Sequence, residues 1–444
     1  MPRLFGTDGV RGTANVELTA DLALRLSVSA ARVLCESSVG RLKAVVGRDT
    51  RASGEFLEAA VVAGLASAGV DVIRLGVIPT PGVAYLVDAL GADLGVILSA
   101  SHNPMPDNGI KLVGRGGTKL PDHIEDEIEA HLDDEWELPV GAEVGRVHED
   151  TSPFARYIEH LSGSVDISLS GLTIVLDCAN GAAFRSAILA FEALGANVIA
   201  INAEPDGTNI NLNAGSTHLE GLRDTVTTVH ADFGLAFDGD ADRCLAVDHL
   251  GEVVDGDAIM AILAIALKEQ GKLVDDTIAT TVMSNIGFHK AMHAHDITVS
   301  VNKVGDRYVL EDMRVNGFNL GGEQSGHVIL GDLATTGDGV LTGIQLAAQV
   351  ARSGKPLHEL AAVMQRFPQV LLNVPNVHKN RADIDPILAA AVADAERELG
   401  DSGRVLLRPS GTEPLVRVMV EAPTIEQANE IAQRIAGLVE TRLR

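Results

Sequence analysis

The sequence is short of cysteine, of long apolar runs and of basic charge, and each shortage removes a class of protein. Its only cysteines are Cys35, Cys178 and Cys244, among 444 residues. An odd number without CxxC spacing excludes a disulfide framework and a cysteine zinc site, and fits a reducing compartment. The longest uninterrupted apolar run, Ala258 to Leu267, is about half the ~20 residues of a membrane span and reads as a buried helix. The opening MPRLFGTDGVRG carries Asp8 and no apolar stretch, so no secretory signal is expected and the expected location is cytoplasmic. Thirty-five Lys and Arg stand against 61 Asp and Glu, a net charge of −26. So acidic a chain argues against nucleic acid or an anionic membrane as partner. An anionic substrate would need a local basic site within a repulsive overall field.

What is present is globular. A hydrophobic fraction of 46% rules out disorder, and 45 glycines exceed the usual ~7% and imply many tight loops. One arrangement of strand, Gly- or Ser-bearing loop, helix and strand recurs three times. It runs from Ala44–Val46 through GRDTRASG and a helix at 55–68 to a strand at 70–75. It returns from Ile174–Leu176 through DCANGAA and a helix ending at Leu194 to a strand at 198–201. It returns again from 278–282 through MSNIG and a helix near His289–His293 to a strand at 297–301. This alternation predicts βαβ crossovers and mainly parallel sheets, with Gly69 and Gly195 as left-handed helix caps. After Phe367 the pattern changes to strand, turn, strand and a terminal helix opened by a Thr424-x-x-Gln427 capping box. Ile425, Ala428, Ala432, Ile435 and Leu438 would give that helix one apolar face. The expected fold is α/β: three related α/β units with mainly parallel mixed sheets and a smaller C-terminal α+β domain around a central cleft. The expected domains are residues 1–152, 153–252, 253–367 and 368–444.

Five motifs carry chemistry. In FDGDADR, Asp238, Asp240 and Asp242 alternate, which in an extended segment puts three carboxylates on one side. Mutual repulsion makes a hard divalent cation their natural partner. An EF-hand would need Gly and Glu where Arg243 and His249 stand; a solvated acidic turn is the plain alternative. ILSASHNP runs a buried strand into a loop with Ser99, Ser101 and His102. Loops at the carboxyl ends of parallel strands hold ligands in α/β proteins, and Ser101 could carry a phosphoryl group, although an ordinary Ser/Asn/Pro turn fits as well. In LLRPSGTEPLVR, Ser410, Gly411 and Thr412 between Arg408 and Arg417 could form an anion nest or a simple hairpin. Glu323, Ser325 and His327 in GGEQSGH suit sugar hydroxyls or a satisfied polar turn. Arg11, Arg48, Arg51 and Lys111 are N-terminal cations able to stabilise a transferring phosphoryl group, or merely solvated.

Together and in this order, FGTDGVRG, SASHNP, DGDADR, GGEQSGH and RPSGTEP resemble the α-D-phosphohexomutase superfamily over essentially the whole chain. Gln324, together with Asp306-Arg307 in KVGDRYV, is similar to the branch acting on glucosamine phosphates, with the phosphomannomutase/phosphoglucomutase branch as the alternative. The resemblance implies an enzyme that interconverts glucosamine 6-phosphate and glucosamine 1-phosphate for UDP-N-acetylglucosamine and cell-wall synthesis. It makes Ser101 the phosphoserine, with Mg²⁺ between its phosphate and Asp238, Asp240 and Asp242, and glucosamine 1,6-bisphosphate the intermediate and activator. Arg243, Glu323 and Ser325 would bind the sugar phosphate. Arg408, Ser410, Gly411, Thr412 and Arg417 would hold the phosphate that is not reacting. Lys111, Arg11, His102 and His327 are the catalytic candidates, and the motifs do not rank Lys111, Arg11 and His327 for proton transfer. The expected partner is a small sugar phosphate, without nucleic acid or membrane, and a homodimer is the candidate assembly.

Overall fold

Both faces of two strands are covered by helices in the chain's larger unit, and this explains their unbroken apolar sequence. Leu94–Leu98 and Phe233–Phe237 are buried at every position, as strands inside layered α/β structures must be. The computed structural model describes residues 3–444 apart from 7, 36–39, 383 and 411–414. They fall into two compact units, residues 1–283 with 297–363, and residues 284–296 with 364–444.

The larger unit holds three sheets. In the first, Lys43–Arg48 lies parallel to Asp71–Val77 and Leu94–Leu98. The antiparallel strands Asp107–Gly114 and Val10–Thr13 extend it. In the second, Thr173–Asp177 runs parallel to Asn197–Ile201 and Phe233–Phe237, and Cys244–Asp248 adds an antiparallel strand. The third joins Thr277–Thr281 in parallel to Thr298–Asn302 and Leu320–Gly322. The expected crossovers are present. Helix Ser53–Ser67 stops before Gly69 (φ +91°), and helix Ala183–Ala193 before Gly195 (φ +88°). Both glycines adopt the left-handed conformation that ends a helix without a Cβ penalty.

The apolar run 258–267 lies in helix Gly256–Glu269, which is almost wholly buried, with the Asp255 carboxylate accepting from Ala258 N–H as its N-cap. No helix among the described residues is long and apolar enough to cross a membrane.

The smaller unit is an antiparallel sheet with Leu415–Glu421 between Gln369–Pro375 and Arg404–Pro409. Its core also takes in helices Pro386–Leu399 and Ile425–Leu443. Thr424 Oγ1 accepts from Gln427 N–H at 3.3 Å, as the capping box requires. The terminal helix buries Ala428, Ala432 and Ile435, but Ile425 in its first turn is 44% exposed, and Ile431 and Val439 complete the face instead. The helix expected near His289–His293 runs Ile286–Ala294. It belongs to this unit, because Ile286 N–H donates to Glu421 (2.8 Å), a carboxylate that also pairs with Arg404 (2.8 Å).

Candidate active site

Lys43–Arg48 and Leu94–Leu98 are neighbours in the first sheet, and Phe233–Phe237 lies in the second. The loops that follow them, 49–52, 99–106 and 238–243, meet through hydrogen bonds of Arg51 to the Ser101 carbonyl and of Ser101 to Asp238. Ser101 sits in the second loop with φ +53° and 1% exposure. A non-glycine residue in this region costs on the order of 1–2 kcal/mol. The conformation turns its Oγ onto Asp238, to which it donates a hydrogen bond. The third loop passes so close that a Cβ on Gly239 would lie 2.5 Å from the Ser101 carbonyl oxygen, so only glycine fits there.

Asp238, Asp240 and Asp242 are buried, and one ligand oxygen from each lies within 4.8 Å of the others. Burial, reinforced by repulsion from Asp242 and Asp240, raises the Asp238 carboxyl well above the usual range. Asp240 Oδ1 and Asp242 Oδ1 are buried without a hydrogen-bond partner. Three clustered carboxylates with two orphaned oxygens fit a hard divalent cation with oxygen ligands.

Cations and their partners surround the triad. Lys111, opposite Ile97 in the neighbouring strand, places Nζ 2.9 Å from both Asp8 Oδ2 and Asp240 Oδ2. Burial alone would lower its pKa, but Asp240 and Asp8 overcome this and hold it above the ordinary lysine value. The same contacts, with Arg11, keep Asp8 ionised against its own burial. Arg11 pairs with Asp8 and leaves its buried Nε unpartnered. Arg243 Nε is 3.8 Å from Asp242. Burial, then Arg243 and Arg11, pull His102 down to about 4. Its Nδ1 lies 3.4 Å from Ser101 Oγ.

Two partners pull His327 in opposite senses. Burial opposes its charge, yet Asp242, 3.6 Å from Nδ1, raises its pKa to about 9. Gly337 N–H donates to Nε2 at 3.2 Å and needs the lone pair of the neutral ring. A cation on Asp242 would weaken the first pull and leave the second. In the same region Glu323 Oε1 accepts from Gly305 N–H (3.1 Å) and Ser325 Oγ is buried without a partner.

The smaller unit carries Arg408 and Arg417 directly opposite each other on adjacent strands. Burial and the second guanidinium lower the pKa of Arg408. Ser410 N–H donates to Leu415 O (2.9 Å), and Lys379 Nζ to Ser410 O (2.6 Å). Gly411 and Thr412 lie outside the described residues.

Two expected cations are otherwise engaged. Arg48 pairs with Glu58 at 3.2 Å. Arg51 is fully buried, and its guanidinium donates to Asp49 and to four backbone carbonyls; no N–H remains for a phosphate. Sequence reasoning passed over Asp8, Thr80, Asn211 and Lys379. Asp8 lies inside FGTDGVRG and was open to notice. Thr80, whose Oγ1 donates to Asp240 (2.6 Å), and Asn211, whose Nδ2 donates to Ser101 O (2.9 Å), carry no local signal.

Models of the phosphoglucomutase/phosphomannomutase family match the chain four times. Alpha/beta/alpha domain I matches residues 2–138, domain II 155–251, domain III 255–367, and the C-terminal domain 348–438. The chain belongs to this family. Two phosphoglucosamine mutases are among its relatives, from a Nocardioides species (61% identical over 446 residues) and from Cutibacterium acnes (61% over 448), each aligned over all of both chains. A solved phosphoglucomutase/phosphomannomutase family protein from Burkholderia thailandensis superposes with TM-score 0.83 at 25% identity, over 100% of this chain and 98% of that one. Aspergillus fumigatus N-acetylphosphoglucosamine mutase, solved with GlcNAc-6P and magnesium, shares the fold at TM-score 0.69 and 17% identity, over 99% of this chain and 95% of that one. The family member described here is a phosphohexomutase, an intramolecular phosphotransferase.

Proposed function

We propose that this mutase interconverts glucosamine 6-phosphate and glucosamine 1-phosphate through phosphorylated Ser101 and a 1,6-bisphosphate, supplying UDP-N-acetylglucosamine for cell-wall precursors in the cytoplasm. The observation that carries this reading is Ser101 Oγ hydrogen-bonded to Asp238 within a ring of Asp240, Asp242, Lys111 and Arg11. The 61% identity to phosphoglucosamine mutases supports the sugar.

Asp238, Asp240 and Asp242, with the phosphate on Ser101, would hold Mg²⁺, which supplies neutralising charge to that phosphate when bound. A phosphate cannot pass from O6 to O1 in one rigid pose, since the two oxygens lie at opposite ends of the sugar. The bond from phosphorus to Ser101 Oγ breaks as the bond to O1 forms, and the O1 proton leaves to a base. The Ser101 oxygen takes up a proton, and the bisphosphate turns end for end. The bond from phosphorus to O6 then breaks as the bond to Ser101 Oγ forms again, O6 taking a proton and Oγ giving its own to the base. Lys111, held protonated by Asp8 and Asp240, acts as a cation and proton donor in this scheme. Arg11 and Arg243 stabilise charge on the transferring group, and His102 and His327 remain the imidazole candidates for the base. Arg408, Ser410, Gly411, Thr412 and Arg417 would hold the unreactive phosphate in either pose.

Two carboxylates near this machinery are not metal ligands. Glu323 accepts from Gly305 N–H. Asp306, next to Gly305 in the chain, lines a cavity with Asp8, Lys111 and Lys119 and lies 3.9 Å from Lys119 Nζ, a loose pair that a substrate ammonium would have to share. Negative charge there suits the ammonium group of glucosamine, which a glucose or mannose phosphate lacks. Measuring kcat/KM for glucosamine, glucose and mannose 6-phosphates tests the reading: glucosamine 6-phosphate is preferred, and an equal or better rate on mannose 6-phosphate removes it in favour of a phosphomannomutase/phosphoglucomutase.

A further inference from the structure

A fully buried arginine is an expensive choice in a loop unless every donor is matched, and Arg51 meets that condition within one segment. Its Nε donates to Asp49 Oδ2 (2.9 Å). Nη1 reaches the carbonyls of Pro104 (2.6 Å) and Asp107 (3.0 Å), and Nη2 those of Ser101 (2.9 Å) and Asn103 (2.8 Å). A guanidinium has five N–H donors, and all are in use. Four of the five acceptors belong to the chain between Ser101 and Asp107, the stretch that presents the Ser101 hydroxyl.

Asp49 links the same guanidinium to the other side of that serine. Its Oδ1 accepts from Arg51 N–H (2.9 Å), and its Oδ2 accepts from Ser99 Oγ (2.6 Å) as well as from Arg51 Nε. Ser99 Oγ in turn accepts from Ser101 N–H at 2.9 Å. The peptide groups on both sides of the Ser101 Cα are therefore fastened to one buried ion pair, the N–H through Ser99 and Asp49 and the carbonyl through Arg51. Asp49, Arg51 and Ser99 are each 0–1% exposed. Ser101 is the residue held at φ +53°, and that conformation persists only where its surroundings over-determine it.

We propose that Arg51, Asp49 and Ser99 are positioning residues. They lock the Ser101 backbone in the left-handed conformation that aims Oγ at Asp238, and so set the line of phosphoryl transfer without touching the substrate. The inference rests on Ser101 being the phosphoryl carrier. A displacement of about 1 Å in such a group costs roughly 100-fold in rate, so the effect belongs in kcat.

The test uses the full-length, Mg²⁺-supplied enzyme as Ser101→Ala, Ser99→Ala and Arg51→Lys, with thermal unfolding, intact mass of the phosphorylated form, and kcat and KM for glucosamine 6-phosphate in the presence of its 1,6-bisphosphate. Ser99→Ala removes one hydroxyl and serves if Arg51→Lys does not fold. The expected result is a kcat lower by about 10- to 100-fold in Ser99→Ala, with KM within two-fold of the parent. An unchanged kcat in a folded Ser99→Ala, or a raised KM at full kcat, overturns the positioning role while an inactive Ser101→Ala leaves the carrier reading standing. An active Ser101→Ala overturns both.

Discussion

Lys111 Nζ and Asp240 Oδ2 lie 2.9 Å apart, buried, although 129 residues separate them in sequence. The lysine answers the charge of Asp240 from one side and leaves Asp240 Oδ1, which has no hydrogen-bond partner, for a cation on the other. Fixing an ammonium beside three carboxylates is what allows so much like charge to be buried in one loop.

Replacing that ammonium has two effects. Lys111→Met is expected to lower kcat/KM by about 10²- to 10⁴-fold, the range for loss of a charge-stabilising or proton-donating group. It also leaves Asp8 and Asp240 without their shared cation, a loss of about 3–5 kcal/mol for a broken buried pair. Denaturant unfolding in EDTA reads the second effect separately from turnover.

Metal removal has its own signature in stability. Mg²⁺ at about 100 times its dissociation constant stabilises the fold by about 2.7 kcal/mol, so the parent's Tm rises with added Mg²⁺ and falls with EDTA. Asp238→Asn removes the burial cost and the repulsion from Asp242 and Asp240 that together raise the Asp238 carboxyl, so its Tm in EDTA equals or exceeds the parent's while its response to Mg²⁺ shrinks. A full Mg²⁺ response in this variant would remove Asp238 from the ligand set.

Asp306 tests how the amino sugar is told from its neutral relatives. Asp306→Asn keeps the size and removes the charge. The expected outcome is a fall of about ten-fold in kcat/KM for glucosamine 6-phosphate, one poorly matched charge contact, with glucose 6-phosphate changing by less than about three-fold. Equal losses on both sugars would show that Asp306 does not read the ammonium.

Asp338 gives a pH dependence whose sign is defined. Its carboxylate caps helix Gly339–Ser353 through Leu341 N–H and accepts from Tyr157 OH at 2.8 Å, yet burial dominates and raises its pKa to about 6. Between about pH 4 and 6 the folded protein thus holds a proton that the unfolded chain has released. Its contribution to stability is complete below about pH 4 and is lost as pH rises through 6, by on the order of 1–3 kcal/mol. Asp338→Asn lacks this term, so unfolding midpoints of parent and variant, followed from pH 4 to 7 at constant Mg²⁺, should diverge at the parent's expense. Parallel curves would mean that the group titrates normally.

Much of this molecule is local in the chain and was therefore legible. The crossovers follow from apolar strand runs and glycine stops such as Gly69 and Gly195. The Thr424 cap follows from a four-residue spacing, and the acidic triad from alternate positions in FDGDADR. Ile425 misled because periodicity assigns a residue to a helical face but does not say where the neighbouring sheet ends. Helix Ile286–Ala294 does form the crossover between the parallel strands Thr277–Thr281 and Thr298–Asn302 that its sequence shows, but its hydrogen bond to Glu421, far along the chain, has no local signal.

By itself the sequence determined which chemistry the chain carries, because a carboxylate triad, a serine loop and a glycine-bounded turn are each complete within a few residues. The fates of the cations were decided only by the tertiary structure. Arg11, Arg48, Arg51 and Lys111 look alike as basic residues near Gly-rich turns. Folding engages Arg48 with Glu58, saturates all the donors of Arg51 on the Ser101 loop, and brings Arg11 and Lys111 to Asp8 beside the triad. A cation's role depends on which acceptors surround it, and those acceptors come from strands and loops that only the folded chain brings together.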